Sequence, residues 1–325
     1  MKDTFVTRTE PLRRELLAHC YRMLGSPDEA EDLVQETYLR AWRAYPDFQE
    51  RSSIRVWLYR IATNACLTAL EHRSRRPLPS GLGAPAEDPY APPGDADLDV
   101  PWLRPIADAL VTPDSADPAV IVAARDTLRL ALIAGLQYLP ARQRAVLILR
   151  EVLGFPAAEV AEMLDTSVAA VKSTLQRARA RLDEVAPSEE DSDLAEPDEP
   201  AARALLEQYI AAFERSDVTI LERVLRADAS LELLPSRTWF AGRATCVPYI
   251  RQVLGEPGDW QMRPTHMNGQ QAAVVHYRGT PFGVAVLSTT TKGIRKIVAF
   301  GFPELATQPA FSPTKPPPPR SRTSG

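Results

Sequence analysis

At 325 residues the chain has room for two or three domains, and an apolar share of 45% is ordinary for a globular protein. Cys20, Cys66 and Cys246 stand far apart with no Cys-x-x-Cys, which excludes a disulfide framework or a cysteine zinc site and suits a reducing compartment. The net charge of −4 does not exclude a nucleic-acid binder, because the acid is concentrated. Residues 77–124 hold one basic side chain against eight acidic, and residues 187–200 hold none against seven. The remaining three segments are each net positive.

The N-terminus, Met1-Lys2-Asp3-Thr4, leads into a charged segment without the apolar region of a signal peptide. No apolar run in the chain approaches the ~20 residues of a spanning helix. The expectation is a cytoplasmic protein with no membrane contact. Residues 11–24 read as the first helix, with Leu12, Leu16, Leu17, Cys20, Tyr21 and Leu24 on one side. Ser26-Pro27-Asp28-Glu29 is a helix start: Ser26 caps, Pro27 suits the first position, and Glu29 closes a capping box. The helix over residues 28–44 carries an apolar stripe of Leu33, Val34, Tyr38, Ala41 and Trp42. Asp32, Gln35 and Glu36 share another face. After a loop over residues 45–51, a second helix turns Val56, Trp57, Ile61, Ala65 and Leu70 inward. It leaves out Arg55, Arg60, Asn64 and Thr68, and runs into Arg73, Arg75 and Arg76. One helix offers carboxylates and an amide, the next arginines; a protein partner on one side and nucleic acid on the other fit that division.

The run Asp-Glu-Ala-Glu-Asp-Leu-Val-Gln-Glu-Thr-Tyr-Leu-Arg-Ala-Trp at 28–42 and Trp-Leu-Tyr-Arg-Ile-Ala-Thr-Asn at 57–64 resemble region 2 of the sigma-70 family, and more narrowly the extracytoplasmic-function (ECF) sigma factors. The resemblance implies that Asp32, Gln35 and Glu36 dock on the clamp of bacterial RNA polymerase core. It also implies that Arg55, Arg60, Asn64, Arg73, Arg75 and Arg76 face the minus-ten promoter DNA. The sequence departs from the family at Glu50, where glycine is usual before Arg-Ser-Ser.

Residues 77–117 read as an acidic, Pro-rich linker without hydrophobic periodicity. Within it, Val100-Pro101-Trp102-Leu103-Arg104-Pro105 is out of place, since burying a Trp returns about 2–3 kcal/mol. Trp102 and Leu103 are therefore expected to dock on a folded domain. The hexamer resembles the Trp-Leu-Pro-type linker motif of ECF sigma factors that carry an extra C-terminal domain.

Residues 118–186 read as a helical domain. Asp117 caps a helix over residues 119–136, and a second runs from about Ala141 to Leu153. A short helix over residues 156–164, a turn at Asp165-Thr166-Ser167 and a helix over residues 168–182 make a helix-turn-helix, with Val160, Ala161, Leu164, Val171, Leu175 and Ala178 as its core. Lys172, Ser173, Gln176, Arg177 and Arg179 project away from that core, and such side chains suit base edges and phosphates in a major groove. The segment resembles sigma region 4, which implies a minus-thirty-five reader.

Residues 187–200 are an acidic linker, expected to be solvated. Residues 201–305 form a separate α+β domain. Two helices precede a strand at 230–234, a helix at 243–254 and four strands near 262–268, 272–278, 283–290 and 294–301, expected as a curved antiparallel sheet. The order resembles the SnoaL-like cone. Residues 306–325 read as a disordered Pro-rich tail.

The expected architecture is thus multi-domain: two all-α domains and a C-terminal α+β cone. Catalysis in the cone would need titratable groups in a pocket. His266, His276, Glu232 and Asp228 are the candidates, with Tyr209, Trp239, Tyr249 and Trp260 as walls, but no spacing rule pairs them. No metal-ligand spacing, phosphate loop or nucleophile elbow appears, so no cofactor, metal or catalytic residue is expected. The domain reads first as a protein-contacting regulator, then as a sensor of a small-molecule ligand, and last as an enzyme. The alternative to a sigma factor is a DNA-binding regulator that acts without polymerase.

Overall fold

Side-chain caps set the helix starts in the N-terminal part. Ser26 Oγ accepts the Glu29 N–H at 3.5 Å and Ser53 Oγ accepts the Val56 N–H at 3.2 Å. Each satisfies one orphan amide of a first turn. The computed structural model describes residues 2–308 except 51, 114, 116 and 186–193. Four helices come first: α1 (Lys2–Thr9), α2 (Arg13–Leu24), α3 (Pro27–Ala44) and α4 (Ile54–Leu70). Glu29 does not close a capping box; its Oε1 takes Arg73 at 2.5 Å and Arg76 at 2.7 Å, because two guanidinium groups attract a carboxylate more than one amide does. Glu50, where glycine was expected from the family, sits in left-handed backbone at φ 55° and pairs with Arg8 at 2.7 Å.

A short helix, α5 (Asp108–Val111), follows. The helical domain after it holds α6 (Pro118–Asp126), α7 (Leu130–Leu136), α8 (Ala141–Leu147), α9 (Ala157–Met163) and α10 (Val168–Val185). The single helix expected over 119–136 is broken between Asp126 and Leu130. Buried Arg22 donates to the Thr127 carbonyl at 3.1 Å and to its Oγ1 at 2.7 Å, and Asn268 Nδ2 donates to the Leu128 carbonyl at 2.7 Å. Carbonyls claimed by tertiary donors leave the helical ladder. Val160, Ala161, Leu164, Val171, Leu175 and Ala178 are all buried between α9 and α10.

The C-terminal part runs α11 (Pro200–Glu214), α12 (Val218–Val224), β1 (Leu225–Leu234), β2 (Trp239–Ala241), α13 (Arg243–Val253), β3 (Trp260–Met267), β4 (Gln270–Tyr277), β5 (Thr280–Thr290), β6 (Gly293–Phe300) and α14 (Pro303–Ala306). The sheet order is β2-β1-β6-β5-β4-β3. It is mixed rather than antiparallel throughout: β1 and β6 pair in parallel, from Ser230↔Lys296 to Leu234↔Phe300. The chain from β1 to β6 passes through a helix and four strands, long enough for such a crossover. The three-residue β2 carries too short a pattern to be read from sequence.

The sheet buries both faces. One face, with Leu231, Met262, Ala273, Val275, Ala285 and Ile297, packs under α11, α12 and α13. The other, with Met267, Val274, Val286, Val298 and Phe300, belongs to a continuous core that also holds Leu24, Tyr59, Leu103, Ile106, Leu136 and Phe155. All three parts of the chain therefore share one interior.

The segment expected as an acidic, Pro-rich linker is pinned. Ser80 donates its N–H and Oγ to buried Glu232 at 2.9 and 3.0 Å, Ala86 N–H to Trp239 O at 2.8 Å, and Asp97 N–H to Pro235 O at 2.9 Å. Irregular chain is ordered here because its amides find sheet carbonyls and a carboxylate. The second acidic segment is described only from Leu194. There Ala195 N–H reaches Thr289 O at 2.8 Å, and Glu196 and Asp198 pair with Arg129 and Arg125 at 2.8 and 2.5 Å. The tail from residue 309 on lies outside the described residues. Among the described residues no helix is long and apolar enough to cross a membrane.

Candidate functional site

Helix α3 buries Ala30, Val34, Thr37 and Ala41 against the bundle, which turns its opposite face to solvent. Asp32 and Gln35 are exposed there and Glu36 is half-buried, paired with Arg40 at 2.5 Å. Leu39 and Trp42 are exposed beside them, 57% and 37%. Carboxylates next to bare apolar side chains form a surface that another protein can cover.

The arginine face of α4 is in a different condition. Arg60 is exposed and open. Arg55 donates to Glu15 at 3.2 Å and lies over the rings of Tyr59 and Phe155, 5.1 and 4.6 Å from their centroids. Asn64 Nδ2 donates to the Met163 carbonyl at 3.3 Å. Arg73 and Arg76 share Glu29; Arg76 also donates to Trp102 O at 3.1 Å. Arg75 reaches Gly81 O at 2.8 Å and stacks on Tyr138 at 4.2 Å. Five of these six side chains thus have partners within the chain, although Asn64, Arg73 and Arg75 remain exposed. On α10, Lys172, Ser173, Gln176, Arg177 and Arg179 are all exposed. Their contacts are local, apart from Arg179 with Glu151 at 2.8 Å.

Trp102 and Leu103 are 4% and 0% exposed. Trp102 Nε1 donates to Asp97 O at 2.7 Å, Leu103 N–H to Pro77 O at 3.1 Å, and Arg104 N–H to Gly25 O at 3.1 Å. Gly25 ends α2 in left-handed backbone at φ 71°, and a side chain there would meet Leu103 Cδ1.

The junction that joins the three parts centres on Asn268, in the turn between β3 and β4. It is 0% exposed. Its Oδ1 accepts the Ile106 N–H at 2.9 Å, and its Nδ2 donates to Tyr21 Oη at 2.8 Å and Leu128 O at 2.7 Å. Its own N–H donates to Ile106 O at 3.0 Å. The β3–β4 turn therefore bonds α2, the segment after Trp102-Leu103, and the α6–α7 break together. Gly269 N–H donates to Asp108 Oδ1 at 2.8 Å, while Asp108 Oδ2 is buried without a partner among the described residues.

Burial pushes the Asp108 carboxyl up to about 6, against the pull of the Gly269 N–H and Arg125. The neutral form fits the junction better than the charged one. The stability it lends is fully present below the ordinary value of 3.8 and is lost as pH rises through about 6. Holding the charge at pH 7 costs about 2–3 kcal/mol. Asp108→Asn should raise the urea midpoint at pH 7 and lose most of that advantage at pH 4. An equal effect at both pH values would show that ionisation is not the cause.

The C-terminal domain encloses a cavity of ≈ 390 Å³ between the sheet and its helices. Tyr209, Tyr249 and Trp260 line it; Trp239 does not, and donates instead to Gly83 O at 2.9 Å. None of His266, His276, Glu232 and Asp228 lines it. Glu232 points to the other face of the sheet, paired with Lys296 and Ser80. Among the described residues no His, Cys, Asp and Glu group could hold a metal ion.

Comparison with known proteins agrees with this layout. A family model for sigma-70 region 2 matches residues 9–76, and one for sigma-70 region 4 matches residues 129–182. The ECF RNA polymerase sigma factor SigG of Mycobacterium tuberculosis is 50% identical over 305 residues, 92% of this chain and 81% of that protein. SigJ of the same species is 28% identical over 227 residues, 69% of this chain and 63% of its own. The crystal structure of SigJ superposes with a TM-score of 0.61 at 22% identity, covering 93% of this chain and 98% of that one, which shows a shared fold.

Proposed function

The chain belongs to the ECF sigma factors of the sigma-70 family, and from that premise we propose that the described conformation is the closed, resting form of a promoter-specificity subunit. It is an alternative sigma factor acting with RNA polymerase core and promoter DNA. Asp32, Gln35 and Glu36, with Leu39 and Trp42, dock on core polymerase. Arg55, Arg60, Asn64, Arg73, Arg75 and Arg76 meet the melted minus-ten strand, where arginine and aromatic groups suit unpaired bases. Lys172, Ser173, Gln176, Arg177 and Arg179 enter the major groove of the minus-thirty-five duplex.

The observation that carries the closed reading is the packing of α4 on α9, with Asn64 on Met163 and Arg55 on Phe155. Elements named minus ten and minus thirty-five lie about 25 base pairs apart, or about 85 Å at the rise of duplex DNA. Two modules in contact do not span that distance, so reading both elements requires α4 and α9 to part. The C-terminal domain opposes parting through Asn268 and its shared core, and so restrains the sigma regions in cis. The cavity offers no acid–base pair, which favours regulation over catalysis for this domain.

In-vitro transcription with core polymerase tests the reading. Asp32→Ala/Glu36→Ala should lose core binding, by tenfold or more, and keep its fold. Lys172→Ala/Arg177→Ala should keep core binding and lose transcripts, with a shallower salt dependence of promoter binding. Both variants losing only DNA affinity would favour the regulator that acts without polymerase.

A further inference from the structure

The cavity in the C-terminal domain is used by nothing in the sigma-factor reading, yet its chemistry is specific. Its lining holds no Asp, Glu, Lys, Arg or His. Its walls are aromatic: Trp260 lies 5.7, 4.6 and 5.4 Å from the rings of Phe213, Tyr277 and Phe282, and Tyr209 lies 4.9 Å from Phe213. Tyr209 and Tyr249 line it at 3% and 7% exposure, and neither hydroxyl has a hydrogen-bond partner among the described residues. The two hydroxyls therefore open onto the cavity and not onto a protein acceptor or donor, which leaves them to a bound molecule. A volume of ≈ 390 Å³ is within the range of small-molecule sites.

We infer that this cavity binds a neutral, largely aromatic small molecule carrying a hydrogen-bond acceptor, such as a ketone, that the Tyr209 and Tyr249 hydroxyls recognise. An anion is excluded because the wall holds no cation to pair with it, and a metal cation because it holds no carboxylate. A saturated apolar chain would leave both hydroxyls unmet and the ring faces unused.

The site has a route to the rest of the chain. Met262 and Trp260 on β3 and Val275 and Tyr277 on β4 are cavity wall, and the two strands pair without interruption from Trp260↔Tyr277 to Met267↔Gln270. The turn that joins them is Asn268-Gly269, the centre of the junction. One hairpin thus has its base in the cavity and its tip between α2 and the α6–α7 break. A ligand that shifts the base is felt at the tip. This coupling, unlike the site itself, rests on the closed-chain reading.

Prodan, a neutral naphthyl ketone whose emission responds to polarity and to hydrogen bonding at its carbonyl, is the probe, added to the full chain without polymerase or DNA. Saturable one-to-one binding with a blue-shifted emission is expected. Tyr209→Phe and Tyr249→Phe, which keep the wall and remove one hydroxyl each, should each weaken it about fivefold. Ala299→Trp, which fills the cavity, should abolish it. A naphthalene sulfonate should bind at least ~tenfold more weakly than the ketone. Non-saturating uptake, or an affinity indifferent to all three substitutions, overturns the site; equal affinity for the sulfonate overturns the neutral class. Hydrogen exchange at the Asn268 and Gly269 amides should change on saturation with prodan, and unchanged exchange overturns the coupling. None of these readings depends on transcription, so the site can fail while the sigma-factor assignment stands.

Discussion

Asn268→Ala should be the most disruptive single change at the junction, lowering its stability by about 3–4 kcal/mol. The amide makes three hydrogen bonds at 2.7–2.9 Å, to Ile106, Tyr21 and Leu128, in a site with no solvent. Alanine removes all three and strands the Ile106 N–H and the Leu128 carbonyl; each bond contributes about 1 kcal/mol and each stranded group costs more. The position also has φ 55°, which asparagine tolerates and alanine does not. Asn268→Asp separates the contributions. It keeps the acceptor for Ile106 but turns the donor toward Leu128 into an acceptor, so two oxygens face each other. It should approach the alanine variant in severity. Urea unfolding followed by hydrogen exchange at residues 106 and 128 reads the local loss, and transcription with core polymerase reads the consequence. Promoter-specific transcription should rise several-fold at protein concentrations where the wild type is weak. A destabilised junction with unchanged or lower transcription would sink the claim that the C-terminal domain restrains the sigma regions.

Arg144→Met should cost about 2–4 kcal/mol, chiefly between α2 and α8. The guanidinium is 4% exposed and is surrounded by carbonyls instead of a carboxylate. It donates to Met23 O, to Gln137 Oε1 at 2.9 Å, and to Gln137 O and Leu139 O at 3.2 Å. Burial brings its pKa down to about 10, so it is still charged at neutral pH. Methionine fills a similar volume and relieves the buried charge, but it leaves the carbonyls at the end of α2 and after α7 without donors. Arg144→Lys should fall between, because one ammonium cannot fork toward both helices. The urea midpoint and the exchange of α8 amides decide the matter. A methionine variant as stable as the wild type would mean that the desolvation of the cation offsets everything it binds.

What the sequence disclosed and what it withheld follow a physical division. The two sigma regions are legible because their signals are local. The cap at Ser26, helical periodicity, and a basic face on residues 172–179 opposite Val171, Leu175 and Ala178 can all be read within a few turns. The C-terminal order of helices and strands is legible for the same reason. The parallel pairing of β1 with β6 is not, because nothing near residue 230 announces a neighbour at residue 296. The break at Thr127 is equally hidden: it is imposed by Arg22 and Asn268, which are distant in sequence and claim the carbonyls. The linker shows both cases. Trp102 and Leu103 betray a docked segment by their apolarity, while Ser80 gives no sign that Glu232 waits for it. At the candidate sites, residue type and exposure on α3 and α10 are readable, but the engagement of Arg55 and Asn64 depends on where Phe155 and α9 come to rest, and that of Arg73, Arg75 and Arg76 on Glu29, Trp102, Gly81 and Tyr138.

The single interior shared by all three parts bears on how such a chain could ever be switched on. Leu103, Ile106, Leu136 and Phe155 lie in the same core as Val286, Val298 and Phe300. A chain that merely came apart would wet oily surface on both halves, and would stick to its neighbours before it found a promoter. On the proposed closed form, the transcribing state is therefore reached by exchange: polymerase must cover surface as the domain gives it up. Variants that weaken the junction should gain activity only while core enzyme is in excess, and should clump when it is scarce.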